Sequence, residues 1–360
     1  MGKPLRICAL LAAFASVVLA AGTHRAAQAA PCRSVTSAAA APCPLAVQVH
    51  VTQTGMNPAA ASETPTTATC TKGTTLVGGG ILQDRDNGAL PTNGLRVHGD
   101  VPSSPSGAFA ENGSEDPTSW TAVGGFGGTG ETGDEVKAFA LCASNGPNNT
   151  LVVSKTAKGP TGVAATKKLT VTCPSGSWLI GGGGATHPAS EPSLKTIGSY
   201  PSTAQGTPFT SGRTDPRSWT AVGAAGGLRF GTGEITTTVF ALCSVGVPVH
   251  TVVARKDVID HPAGPGSLSP GSDPFVILTA TCKRGTTLLG GGVLADGDKR
   301  GPDVGVPQQG VHVRGSYPSN AKGLPVGDDA TSIASWTGIV QAGGQPTPGT
   351  DSHVFALCED

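Results

Sequence analysis

Three kinds of residue in this chain have types and spacings that bear on chemistry: cysteines, clustered carboxylates and histidines. Nine cysteines in 360 residues are enough for zinc ligation, thiolate attack or disulfides. Zinc sites use close pairs such as Cys-x2-Cys or His-x3-His, because ligands from one turn must share a tetrahedral ion, and neither spacing occurs. The Gly-x-Ser-x-Gly hydrolase elbow and His-Glu-x-x-His are also absent. Asp84-Arg85-Asp86-Asn-Gly88 and Asp296-Gly-Asp298 look like the opening of a calcium loop. Such a loop needs more oxygen ligands at fixed spacing and a closing carboxylate, so these read as solvated polar turns. Glu131, Asp134 and Glu135 have the chemistry of a glycosidase pair, but beyond Glu234 nothing comparable recurs. His98 and His312 both precede the glycine of a Pro-containing block and are taken as one repeat position, read as strand-surface histidines. No catalytic residue, metal ligand or cofactor is assigned.

The cysteines make sense once the elements around them are aligned. Thr67-Ala-Thr-Cys70, Thr170-Val-Thr-Cys173 and Thr279-Ala-Thr-Cys282 are each followed, after seven residues, by a glycine triplet beginning at Gly78, Gly181 and Gly290. Next come Gly99-Asp-Val-Pro102-Ser, Gly198-Ser-Tyr-Pro201-Ser and Gly315-Ser-Tyr-Pro318-Ser. Eighteen positions after each proline stands a tryptophan, Trp120, Trp219 or Trp336, between Ser and Thr. Each copy closes on Phe-Ala-Leu-Cys, at Cys142, Cys243 and Cys358. Self-similarity at this period is the mark of a repeat architecture. Val47, Val49 and Val51 alternate with polar residues in the period of a half-buried strand and open the first copy.

The pattern predicts about five short strands per unit, separated by Gly, Pro, Asn and Asp clusters. The fold class is all-β: three homologous disulfide-closed units, in tandem or in a pseudo-threefold arrangement. Phe-Ala-Leu-Cys is apolar on both faces, as in a central strand. The glycine triplets mark places where another group packs closely, and the tryptophan of the same unit is expected over them. Equivalent positions pair Cys70 with Cys142, Cys173 with Cys243 and Cys282 with Cys358, leaving Cys32 for Cys43. The domain boundaries are then 1–29 for a signal peptide, 30–45 for an N-terminal arm, and 46–143, 148–243 and 248–360 for the three repeats. His261 to Pro274, rich in Pro, Gly and Ser, reads as an inserted loop.

Lys3 and Arg6, an apolar run to Ala21 and Ala27-Gln28-Ala29 form an export signal. No later stretch reaches the ~20 apolar residues of a membrane span. An even set of eight cysteines after Cys8 suits an oxidising, extracellular setting. Charged residues are only 13% of the chain and sum to zero, which argues against nucleic acid, whose phosphates demand a basic excess.

The combination of Cys-x7-Gly-Gly-Gly, Tyr-Pro-Ser, Ser-Trp-Thr and Phe-Ala-Leu-Cys resembles repeats in exported actinobacterial proteins. That resemblance covers nearly all of the mature chain and implies a structural motif without a transferable activity. The threefold repetition is similar in architecture to β-prism and β-trefoil lectins. The expected function is a secreted, non-enzymatic binding or structural protein whose partner is an extracellular glycan or cell surface. The alternatives are a secreted hydrolase with its site assembled between repeats, and a protease inhibitor. From the last triplet glycine to the block proline the step is 22, 18 and 26 residues. Length therefore varies in one segment of each copy, and loops on a rigid scaffold are where repeat proteins carry binding. The candidate ligand contacts in residues 83–98, 184–197 and 293–313 are Asp84, Arg85, Asp86, His187, Glu191, Asp296, Asp298 and Arg300.

Overall fold

The computed structural model describes residues 45–57, 63–86, 94–126, 132–147, 149–162, 165–188, 194–226, 234–258, 275–296, 311–342 and 351–360. The signal segment, Cys32, Cys43 and the insertion His261 to Pro274 lie outside these residues. Among the described residues all eighteen regular elements are strands, six per unit where about five were expected. The first unit holds β1 (Val47–Gly55), β2 (Glu63–Thr69), β3 (Thr75–Arg85), β4 (Leu95–Ser103), β5 (Ser119–Phe126) and β6 (Asp134–Ala143). The second holds β7 (Thr150–Lys158), β8 (Thr166–Thr172), β9 (Ser177–His187), β10 (Leu194–Ser202), β11 (Ser218–Ala225) and β12 (Thr236–Val245). The third holds β13 (Thr251–Val258), β14 (Phe275–Thr281), β15 (Leu288–Asp296), β16 (Val311–Ser319), β17 (Ser335–Ala342) and β18 (Asp351–Glu359). The easily missed strand is the second of each unit. β2, ETPTTAT, is polar and carries Pro65, which a sheet tolerates because β2 is an edge strand.

The strands do not form one sheet per unit. Three six-stranded sheets run β1-β6-β3-β16-β17-β14, β7-β12-β9-β4-β5-β2 and β13-β18-β15-β10-β11-β8. Each joins the first, sixth and third strands of one unit to the fourth, fifth and second of another. The shared seams are short: Gly99 pairs with Ala185 and Asp100 with Gly184, Gly198 with Leu294 and Ser199 with Val293, and Gly315 with Leu82 and Ser316 with Ile81. The last seam returns from the third unit to the first, so the described strands close into a ring. A second set of links fastens each junction, where the loop after the fourth strand bonds the opening strand of the next unit. Val152 N donates to Ser114 O, Val253 N to Arg213 O and Val49 N to Ala330 O, each at 2.9 Å.

The glycine triplets meet at the centre of this ring. A Cβ on Gly78 would collide with Leu289 O, and one on Gly181 would lie 2.6 Å from Val77 O. At Gly290 the nearest atoms are the Gly78 Cα and Ile180 O, both 3.8 Å from a built Cβ. The middle glycines Gly79, Gly182 and Gly291 each lie under the indole of their own unit's tryptophan, Trp120, Trp219 and Trp336. All three rings are fully buried, a transfer free energy of about 4–6 kcal/mol each at ~25 cal/mol per Å². The disulfides Cys70–Cys142, Cys173–Cys243 and Cys282–Cys358 close within units as the repeat requires. Each ties the end of a second strand to the sixth, and these belong to different sheets, so each bond staples two sheets together. A closed loop of this size is worth roughly 2–4 kcal/mol.

Candidate functional site

Asp84, His187 and Asp296 stand at one repeat position, four residues after the last triplet glycine. They lie at the ends of β3, β9 and β15, opposite Glu135, Thr236 and Asp351 of the closing strands. Two of the shared sheets place an aromatic pair nearby. Tyr317 stacks on Phe139 with centroids 6.0 Å apart, and Tyr200 on Phe355 at 5.7 Å. In the remaining sheet Val101 replaces the tyrosine, and Phe109 packs edge-on to Phe240 at 6.2 Å and against His187 at 5.0 Å. Burial pushes both tyrosine hydroxyls up, and the Asp84 and Asp296 carboxylates add to the effect on Tyr317 and Tyr200 respectively.

The polar partners at these positions differ. Asp84 is buried and pairs with Lys137 at 2.6 Å; burial pushes its carboxyl up while the lysine opposes. Arg85 Nε lies 3.6 Å from Asp134. Asp86 is exposed, and its amide donates to Gly133 O at 2.8 Å. His187 pairs with Glu63 at 3.4 Å. Asp296 is half-buried and faces Asp351 in the ladder. The structure thus brings Asp84, His187 and Asp296 to equivalent strand ends and leaves Asp86 in a turn. Glu191, Asp298 and Arg300 lie outside the described residues.

Four histidines meet carboxylates: His50 with Asp328 and Asp329, His187 with Glu63, His250 with Asp215, and His353 with Asp257. Among the described residues the polar partners of these four rings are carboxylates and, for His353, Arg255. At Asp257 burial pushes the carboxyl up, but hydrogen bonds from Arg255 and His353 outweigh it and hold it below its usual range. His50, Asp328 and Asp329 hold one possible ligand atom each within 4.8 Å of one another. Their carboxylates are already engaged: Gln48 Nε2 donates to Asp329 at 2.7 Å and Val51 N to Asp328 at 2.9 Å. Asp116 and Asp215 likewise accept from the amides of Thr150 and Thr251. These groups pin one unit's loop to the next unit's opening strand.

The junction between the third and first units carries an open groove of about 540 Å³. Lys283, Arg284, Thr286 and Thr287 form one side; Gln48, Thr331 and Ser332 contribute more polar groups. The matching place between the second and third units holds only about 150 Å³. The difference follows from side chains. Trp178 stands where the larger groove has Thr287, and Arg217 where it has Ala334. Arg217 bonds the carbonyls of Cys173 and Pro174.

One further cluster escaped the residue pattern. Arg96, Lys195 and His312 each lie three residues before the block glycine, opposite Gly125, Ala224 and Gln341. His312 therefore corresponds to Arg96 and not to His98. In each fourth strand a bulge follows, between Val97 and Gly99, Thr196 and Gly198, or Val313 and Gly315. His98, Ile197 and Arg314 are its extra residues, and all three are fully buried. Strands β4, β10 and β16 pack on one another, and Lys195 Nζ lies 3.4 Å from His312 Nδ1. Lys195 and His312 are 2% and 4% exposed; Arg96 is half-buried, and Arg96 and Lys195 have further interactions besides. Burial, then the Arg96 charge, hold the lysine far below its usual range. Burial and the charges of Lys195, Arg96 and Arg314 do the same to His312. Burial lowers His98 to about 4.

No protein-family model and no curated protein matches this chain.

Proposed function

We propose that this is a secreted, non-enzymatic binding protein for a polyhydroxylated extracellular polymer, a glycan or cell surface. The observation that carries this reading is the groove at the closing junction. It offers about 540 Å³, side-chain hydroxyls and two cations, while its counterpart is filled by Trp178 and Arg217. Hydroxyls that both donate and accept suit sugar hydroxyls, and Lys283 with Arg284 suits a polymer bearing acidic groups. Export is supported by the signal-like start and the three disulfides. Among the described residues no helix is long and apolar enough to cross a membrane. Of the equivalent strand-end positions, half-buried His187 and Asp296 offer a second candidate contact set, on which linked contacts would raise avidity.

The test is retention of purified mature protein on insoluble cell-wall and glycan fractions, with Lys283→Gln/Arg284→Gln compared with His187→Gln/Asp296→Asn. Loss with the first pair alone assigns binding to the groove, and loss with the second alone assigns it to the strand ends. No retention of the unaltered protein on any fraction would rule the reading out.

A further inference from the structure

We propose that His50, Asp328 and Asp329 form a site for one divalent transition ion of the zinc class, which ties the third unit to the first. None of the three residues lines the groove, and the proposal stands whether or not a polymer binds there. Three observations carry it. First, the ligand set occurs at one junction out of three. The backbone bonds fix the correspondence: Val49, Val152 and Val253 are equivalent strand residues, and Ala330, Ser114 and Arg213 are the loop residues they bond. The next strand position holds His50, Val153 or Ala254. The two loop positions before the bond hold Asp328-Asp329, Asn112-Gly113 or Ser211-Gly212. The closing junction alone puts a metal-binding side chain at all three places.

Second, the scaffold asks for none of these side chains. Asn112 and Ser211 accept the amides of Ser154 and Arg255 as Asp328 accepts that of Val51, so a neutral oxygen serves the fold. Gly113 and Gly212 have φ of +87° and +81°, and Asp329 takes +61°, a region that favours glycine. Third, the spacing leaves room for an ion. His50 Nδ1 lies 3.6 Å from Asp328 Oδ1 and 3.8 Å from Asp329 Oδ1, too far for hydrogen bonds. All three ligand atoms lie within 4.8 Å of one another. A tetrahedral ion with bonds of about 2.0–2.2 Å holds its ligands roughly 3.5 Å apart, so one fits among them with small side-chain movements.

One imidazole and two carboxylates suit zinc, whereas calcium takes six or more oxygens. Each Oδ1 keeps a second lone pair, and the bonds from Gln48 Nε2 and Val51 N orient the carboxylates as outer-shell groups orient ligands. His50 Nε2 is buried without a partner, so Nδ1 is the ring nitrogen that meets the carboxylates. The ring is 14% exposed and the carboxylates 61% and 70%, which leaves the fourth position open to water.

The experiment uses the mature protein without a polyhistidine tag, stripped with a chelator and dialysed. Zinc uptake is followed by isothermal titration calorimetry and by melting temperature, with calcium in a parallel arm. An ion that binds only the folded state raises the melting point with concentration. The variants His50→Val, Asp328→Asn and Asp329→Gly borrow the residues of another copy, so each keeps the scaffold's own chemistry. Circular dichroism without metal checks that each folds, and if one does not, the other two carry the comparison. The expected result is one saturable zinc per chain, bound about tenfold or more weakly in each variant. Zinc uptake that survives all three substitutions would place the ion elsewhere and overturn the proposal. So would unaltered protein that takes up no zinc, or that responds to calcium alone.

Discussion

At the scale of single residues, the three tryptophans show how one slot can be filled in two ways. Trp219 and Trp336 donate from Nε1 to the hydroxyls of Ser199 and Ser316 at 2.9 and 3.0 Å. In the first unit Asp100 takes the serine's place and accepts from Trp120. Burial holds the Asp100 carboxyl far above its usual range, with only the indole opposing. An unfolded aspartate titrates near pH 3.9. Above that value the folded chain keeps a proton that the unfolded chain has lost. The stability tied to Asp100 is therefore complete in acid and falls as pH rises toward the folded value. Asp100→Ser should raise the melting temperature, and raise it more at pH 7 than at pH 4; an equal gain at both would show the carboxyl is not the cause. Trp219→Ala should destabilise by roughly 3–5 kcal/mol, seen as a lower denaturation midpoint. The core role of the tryptophans was legible from their fixed place between Ser and Thr. The trio Arg96, Lys195 and His312 was also written in the sequence, as three basic residues at one offset. It was hidden because Arg, Lys and His look unrelated, and because the bulge puts an extra residue between them and the block glycine.

At the scale of the elements, the glycine triplets are where spacing and packing meet. The seven residues between cysteine and triplet announce a repeated close approach, and the tryptophan lies where expected. What the pattern does not reveal is that the three glycines of a triplet have different neighbours. A Cβ on Gly291 would enter the Trp336 ring and approach Phe355 O, while one on Gly290 would find only ordinary contacts, the closest at 3.8 Å. Gly290→Ala should therefore stay near the unaltered stability, and Gly291→Ala should lose roughly 3 kcal/mol or more through overpacking. Chemical denaturation of the two variants side by side checks this, and similar losses would refute the assignment of neighbours. The strands themselves were readable from period-2 alternation and turn residues, but their partners were not. Alternation shows which face of a strand is buried, and says nothing about which strand lies beside it. The second strand of each unit was hardest to see, because threonine and Pro65 blunt its alternation.

At the scale of the whole described body, the unit of sequence is not the unit of folding. Each repeat gives half its strands to one sheet and half to another, so a single repeat alone would leave two seams bare. Residues 46–143 expressed alone should not give a folded monomer; circular dichroism and size-exclusion chromatography would show disorder or association. A sharp, concentration-independent melt of that fragment would contradict the shared-sheet arrangement. The sequence left open whether the repeats form beads or one body, and the seam from Gly315 to Leu82 decides it. The same seam has a kinetic consequence. Two of the three junctions are bridged by continuous chain, but among the described residues the third is closed by non-covalent contacts, among them Leu45 N donating to Glu359 Oε2 at 2.7 Å. The ends of the ring must find each other across most of the polypeptide, and such distant pairing is slow. While one end waits, an identical end on a neighbouring molecule can take its place, and the result is a chain-exchanged multimer with every native contact satisfied. Refolding at rising protein concentration should therefore divert material from monomer into such multimers. Covalently joining residues 45 and 360 should suppress them, which makes the non-covalent clasp the point at which this protein chooses between a closed ring and an open polymer.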